Sequence, residues 1–387
     1  MKLNKRNTPS AYLFSLFLVM IIFANDKYLG ITNYYFLPVL IFFVAIIESK
    51  GNFRKMGIEH YSALVFFSIL CLKVAGNLMF SYVTTGVFLS YCLWLALFFL
   101  LTIPRDYDLE KLKIMCNGYI ISSTIITLLI ILYKREMYDW SGTFRYTISL
   151  SNGDFVDCNF LGAFMYFPAV LCWIRFLARE EKRERTFFLI LFILISSGVL
   201  LTGSRGAMLA LFIGIGFATI GFKKINFYSI LLLAIVLFVV LYSFLPIQTF
   251  QRFFERNYIL DNSNIYRIYK WEQGLNAFTN KPLWGQGLAY TTNLLSASLS
   301  AHNTFLTFLI QFGIIGALPF FIIIIKLFVS LFSKRSFPVL GIYIGWLVVS
   351  FVLEANYSIF FWTILIILYV YRNALNNNPK INMLKII

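Results

Sequence analysis

Apolar runs of near 20 residues recur along almost the whole chain, and nothing in the sequence constrains the fold more. A run of that length spans the hydrocarbon of a bilayer as one helix, with every backbone hydrogen bond made inside the segment. Such runs fall at about 11–24, 29–47, 60–79, 83–103, 113–133, 159–178, 186–202, 206–221, 225–245, 304–332, 338–354 and 357–371. They predict an all-α integral membrane protein with about 12 transmembrane helices, built as a single polytopic domain over 1–387. Composition agrees: 60% of the residues are hydrophobic and 13% charged, against about 45–50% and about 25% in soluble domains. The first run follows Lys2, Lys5 and Arg6 but lacks an A-x-A cleavage site, so it reads as an uncleaved span.

The formal charge of +16 would suit a nucleic-acid binder. In a polytopic chain it is better read as basic cytoplasmic loops, with the bilayer as partner and no nucleic acid. Lysines and arginines at 2–6, 50–55, 105–113, 175–185, 223–224, 334–335 and 372–385 fall on one side. They outnumber those on the other side by about two to one. Both termini are then cytoplasmic, and loops 134–158 and 246–303 face outside. Cys71, Cys92, Cys116, Cys158 and Cys172 form no CxxC pair and lie mostly inside apolar runs, as small hydrophobes do. With only two histidines, a zinc site is not expected, nor is another metal or a cofactor.

Within loop 246–303, Asn262-Ser263-Asn264 can cap a helix, and Ile265, Ile268, Leu275 and Phe278 recur at helical spacing. Lys281-Pro282 stops the run. A short amphipathic helix at the outer surface results, with Arg267 and Lys270 one turn apart. Thr202-Gly203-Ser204-Arg205-Gly206 sets Arg205 in a small-residue turn at the start of a span, an arrangement suited to an anion. His302-Asn303 opens the span at 304–332. A helix N-terminus holds imidazole neutral there, as a general base requires. Arg145, Asp157 and Asn159 lie in the first outer loop, where Asp157 or Asn159 can cap the next span. The duller readings are an interfacial arginine for Arg205, a hydrogen-bonded interface residue for His302, and turn and cap residues for the third group. Glu354 and Asn356 are weaker candidates, and Lys73 and Lys326 read as snorkelling side chains. The convergence of cations and one histidine on the outer rim favours a diphosphate-bearing lipid with a hydroxyl acceptor beside it.

At these residues the chain resembles the O-antigen ligase and polymerase superfamily. Thr202 to Gly206 is similar to its signature before a span. Arg267 to Phe278 with Pro282-Leu283-Trp284-Gly285-Gln286-Gly287 is similar to its large outer loop. His302-Asn303 with Gly313-x-x-Gly316 matches its H-N-x9-G-x-x-G spacing. The resemblance implies a glycosyltransferase C-like membrane fold with loops 134–158 and 246–303 capping the site. It implies a bacterial inner-membrane protein and a metal-independent, inverting transfer from an undecaprenyl-diphosphate-linked glycan. Arg205 and Arg267 would hold the diphosphate and His302 would act on the acceptor hydroxyl. Arg145, Lys270, Asn303 and Asn159 are the expected substrate-binding residues.

The acceptor is another lipid-linked repeat unit for a polymerase, or a lipid A-core for a ligase. No outer loop looks like a cationic dock for a phosphorylated core, which favours the polymerase. The repeated R-x10-G pattern of polymerases is absent, however, since Val156 stands eleven residues after Arg145. A chain-length regulator is a possible partner of a polymerase. A lipid-linked glycan transporter is the rival of a different class; against it stand the lack of repeated halves and of paired, broken helices at the bilayer midplane.

Overall fold

The computed structural model describes residues 8–24, 30–75, 82–103, 108–133, 135–138, 144–148, 156–222, 262–288, 301–334, 336–356 and 358–377. In chain order the helices are α1 (Pro9–Ala24), α2 (Gly30–Ser49), α3 (Ile58–Ala75), α4 (Tyr82–Thr102) and α5 (Asp108–Tyr133). After the strands β1 (Arg135–Tyr138) and β2 (Phe144–Thr147) come α6 (Cys158–Ala178), α7 (Lys182–Leu201) and α8 (Arg205–Phe222). The chain continues with α9 (Asn262–Asn280), α10 (Thr304–Ser333), α11 (Phe337–Val352) and α12 (Ile359–Asn377). Every expected span except 225–245 is a helix at its predicted place; 225–245 lies outside the described residues. Seven of the helices are long and apolar enough to cross a membrane, and four shorter apolar helices accompany them.

Lipid is as apolar as leucine, so close contact between backbones holds such helices together. Small residues permit it here. A Cβ on Gly214 of α8 would stand 2.5 Å from the Val170 side chain of α6, and one on Gly345 of α11 would stand 2.9 Å from the Ala210 carbonyl of α8. Thus α6, α8 and α11 form one tightly packed group. The centre is aromatic: Phe308 stacks on Phe320 at 4.0 Å, and Trp346 on Phe361 at 4.7 Å. Trp346 donates to the Phe361 carbonyl at 3.0 Å, which satisfies its polar handle.

Two features depart from an unbroken helical bundle. Loop 134–158, read from the sequence as a polar outer loop, holds an antiparallel hairpin with Met137 opposite Arg145. Strands of four residues are too short to stand out by periodicity. The second departure is in α10, which breaks at Gly313 (φ 65°, ψ −173°). Only glycine adopts that backbone freely. Segment 282–287 fills the break and supplies the missing hydrogen bonds. Gln286 N donates to Ile310 O at 2.7 Å and Gly287 N to Gln311 O at 3.0 Å. Ile314 N donates to Pro282 O at 2.8 Å and Ile315 N to Leu283 O at 3.1 Å. α10 is therefore a discontinuous helix. Its gap is closed by the chain's own backbone.

Candidate active site at the start of α10

The first turn of α10 is built by its own side chains. Asn303 caps it, its side-chain oxygen accepting from Phe305 N and Leu306 N at 3.0 Å each. Thr304 Oγ1 donates to Leu353 O at 2.6 Å and accepts from Ala355 N at 2.8 Å, which ties this turn to the link between α11 and α12. His302 stands just before the cap with φ 45°, a left-handed backbone unusual for a residue with a Cβ. Strain of that kind persists where the surroundings over-determine it. Here the cap on one side and buried Ala301 on the other fix the chain.

Helix α9 lies against this turn. A Cβ on Gly274 would meet the Leu306 side chain at 2.9 Å and that of Ile310 at 3.1 Å, so only glycine permits the approach. Ala277, Ala301, Leu306 and Ile310 form a small core beneath, with Trp271 and Phe278 packed on it. The face turned inward carries Lys270, Gly274 and Ala277, at helical spacing. Ile265, Ile268 and Leu275, which define the apolar pattern of the sequence, point outward and are exposed. Lys270 is buried and Arg267 is half-buried. The cations therefore ride on the side of α9 that faces the protein.

His302 shows what this proximity does. Burial pushes its pKa below the ordinary value of 6.5, and the positive charges of Arg267 and Lys270 push the same way. The Asp157 carboxylate opposes them. The imidazole is neutral at pH 7 and able to accept a proton. These four groups are close enough to feel one another, which brings three of the expected site residues into one neighbourhood.

The remaining residues attach to it from two directions. Asp157 caps α6, accepting from Asn159 N at 2.6 Å. The Asn159 side chain accepts from Arg145 Nη1 at 3.3 Å, and Arg145 is buried where the hairpin meets α6. Arg145 and Asn159 thus reach His302 through Asp157. Arg205 begins α8 after a turn in which Gly203 takes φ 64° and Thr202 donates to Val199 O at 2.6 Å. A Cβ on Gly162 of α6 would come 2.8 Å from Thr202 Oγ1. The Gly206 backbone lies against Val352, whose neighbour Leu353 is bonded to Thr304. Arg205 is therefore at the same end of the bundle, joined to His302 by packing.

Asn303 is placed differently from a free binding residue, because its carboxamide oxygen is committed to the cap. Glu354, a weak candidate in the sequence, is buried between two residues bonded to Thr304. Lys73 does not snorkel. It is buried at the end of α3, where its ammonium donates to the carbonyls of Trp284 and Gly285. No local pattern in the sequence pairs residues 211 positions apart.

No curated protein matches the chain. Residues 190–321, which carry Arg205, Arg267, Lys270, His302 and the broken helix as far as Phe321, match the family model described as O-antigen ligase. The match covers about a third of the chain and supports a relation to the O-antigen ligase and polymerase superfamily, and the apolar helices make the chain a multi-pass membrane protein.

Proposed function

We propose that this protein is an inner-membrane glycosyltransferase that extends a surface polysaccharide from undecaprenyl-diphosphate-linked oligosaccharides, with its site facing outward. The observation that carries the reading is the neutral His302 at the N-terminus of α10, set among Arg267, Lys270 and Asp157. In the reaction, the imidazole accepts the proton of an acceptor hydroxyl. The hydroxyl oxygen attacks the anomeric carbon of the donor glycan as the bond to the diphosphate oxygen breaks, with inversion. Undecaprenyl diphosphate leaves with the bonding electron pair. Arg267, Lys270 and Arg205 take up its charge, supported by the N-terminus of α8. Cations placed before the charge develops lower the barrier without reorganisation, and the transfer needs no metal.

Ligation to a lipid A-core is the second reading, favoured by the description that the matched family model carries. The two share every step except the acceptor. The test is purified protein incubated with lipid-diphosphate repeat units alone, then with an added lipid A-core. A ladder of multiples in the first incubation establishes the polymerase. Product only after addition of the core establishes the ligase. Donor movement across a proteoliposome without a new glycosidic bond would replace both readings with a transporter.

A further inference from the structure

The segment that fills the break in α10 has hydrogen-bonding groups left over. Pro282 and Leu283 give their carbonyls to α10, and Gln286 and Gly287 give it their N–H groups. The carbonyls between them, on Trp284 and Gly285, are met by the side chain of Lys73. Its ammonium donates to Trp284 O and, at 3.4 Å, to Gly285 O. It also lies over the Trp284 ring, 4.8 Å from the centroid. Gly285 leaves no room for a side chain, because a Cβ there would meet Gly313 N at 2.4 Å. Gly285 is buried and its carbonyl demands a donor, which the lysine supplies while also reaching Trp284 O.

The same segment follows directly on α9 and is bonded back to it. Gln286 Nε2 donates to Ala277 O at 2.7 Å, and Lys281 N donates to Phe278 O at 3.1 Å. Whatever fixes 282–287 thus fixes the helix that carries Arg267 and Lys270 past His302. We propose that Lys73 is a positioning residue: by anchoring segment 282–287 in the break of α10, it sets α9, and with it the two cations, at their working distance from His302. This rests on the transfer reading given above. Lys73 touches no substrate and acts through Trp284, Gly285 and Gln286.

Two readouts test it together, amide hydrogen exchange over 262–288 and donor kinetics, on the wild type, K73M and K73R in one lipid environment. K73M keeps the apolar stem and loses the donors; K73R keeps donors and charge. The expected result is faster exchange in K73M over both 282–287 and α9, with peptides of α8 and α11 unchanged as the control for folding. KM for the lipid-diphosphate donor rises about tenfold, as a displaced binding group produces, with a smaller change in kcat. K73R recovers most of both. Wild-type exchange over 262–288 in K73M overturns the proposal, as does loosening confined to 282–287 with unchanged KM. If the wild type itself transfers no glycan, the functional reading falls. Exchange over α9 then decides the anchoring alone.

Discussion

The two ends of this bundle handle charge in opposite ways. At the end formed by the start of α3 and the end of α12, buried charges are matched. Glu59 pairs with Arg372, and Arg372 donates also to Asn373 at 3.0 Å. Lys111 pairs with Glu48 at 3.5 Å, and Ser10 N donates to the same carboxylate at 3.0 Å. His60 is locked there, accepting at Nδ1 from Gly57 N at 3.1 Å and bonded to Thr102 Oγ1 at 3.1 Å. At the other end Arg145, Arg205, Arg267 and Lys270 gather about one histidine, and the nearby carboxylate of Asp157 is occupied as a helix cap. Ion pairs between helices close one end as structure. The cations collected about His302 suit the other to an anion. The chain's two histidines show the contrast: one is held by fixed partners, the other stands on a strained backbone before a cap.

Variants at both ends test this division. The largest effect is expected at His302. His302→Ala should lower transfer by about a thousandfold, within the range for loss of a general base. His302→Asn should fall as far, because asparagine tolerates the left-handed backbone but has no basic nitrogen. Near-normal transfer by the Asn variant would assign the position to backbone geometry. Next, Arg267→Ala should lower transfer by about a hundredfold and move the acid limb of the pH profile. In the wild type that limb should lie below the ordinary histidine value of 6.5, because burial and then Arg267 lower the His302 pKa. Removing a positive charge that lowers the pKa should move it upward, and an unmoved limb would mean that a different group titrates.

The opposite end should answer in stability. Glu59→Ala leaves Arg372 buried without its carboxylate and should cost about 3–5 kcal/mol. Thermal unfolding measures that cost, and the folded fraction should transfer at the wild-type rate. A slow but stable Glu59→Ala would break the division between the ends. The smallest effect is expected from Asp157→Asn. Asparagine keeps the cap but removes the charge that raises the His302 pKa. The acid limb should move lower while the rate at neutral pH stays close to wild type.

Much of this was legible in the sequence because the signals are local. Apolar runs located the spans. Asn262 and Asp157 marked helix starts, and His302-Asn303 marked the start of α10. The inward face of α9 was not legible. Its isoleucines and leucine read as the face of a surface helix, whereas Gly274 and Ala277 are what pack on α10, and a small residue contributes little to a hydropathy pattern. The break at Gly313 was hidden in a continuous apolar run because its cause lies in another segment, 282–287. The ties of Lys73 to Trp284 and of Glu59 to Arg372 join residues far apart in the chain, beyond the reach of any periodicity.

The length of α10 gives its break a further meaning. Its 30 residues extend about 45 Å at 1.5 Å per residue, half again the thickness of the hydrocarbon layer at about 30 Å. The portion from Gly313 to Ser333 is long enough to cross that layer alone, at about 31 Å. With that portion spanning the layer, the stub from Thr304 to Phe312, about 13 Å along its axis, would reach toward the lipid phosphates. A molecule with a hydrocarbon tail, a charged middle and a sugar head could then meet His302 without exchanging any of its parts between solvents.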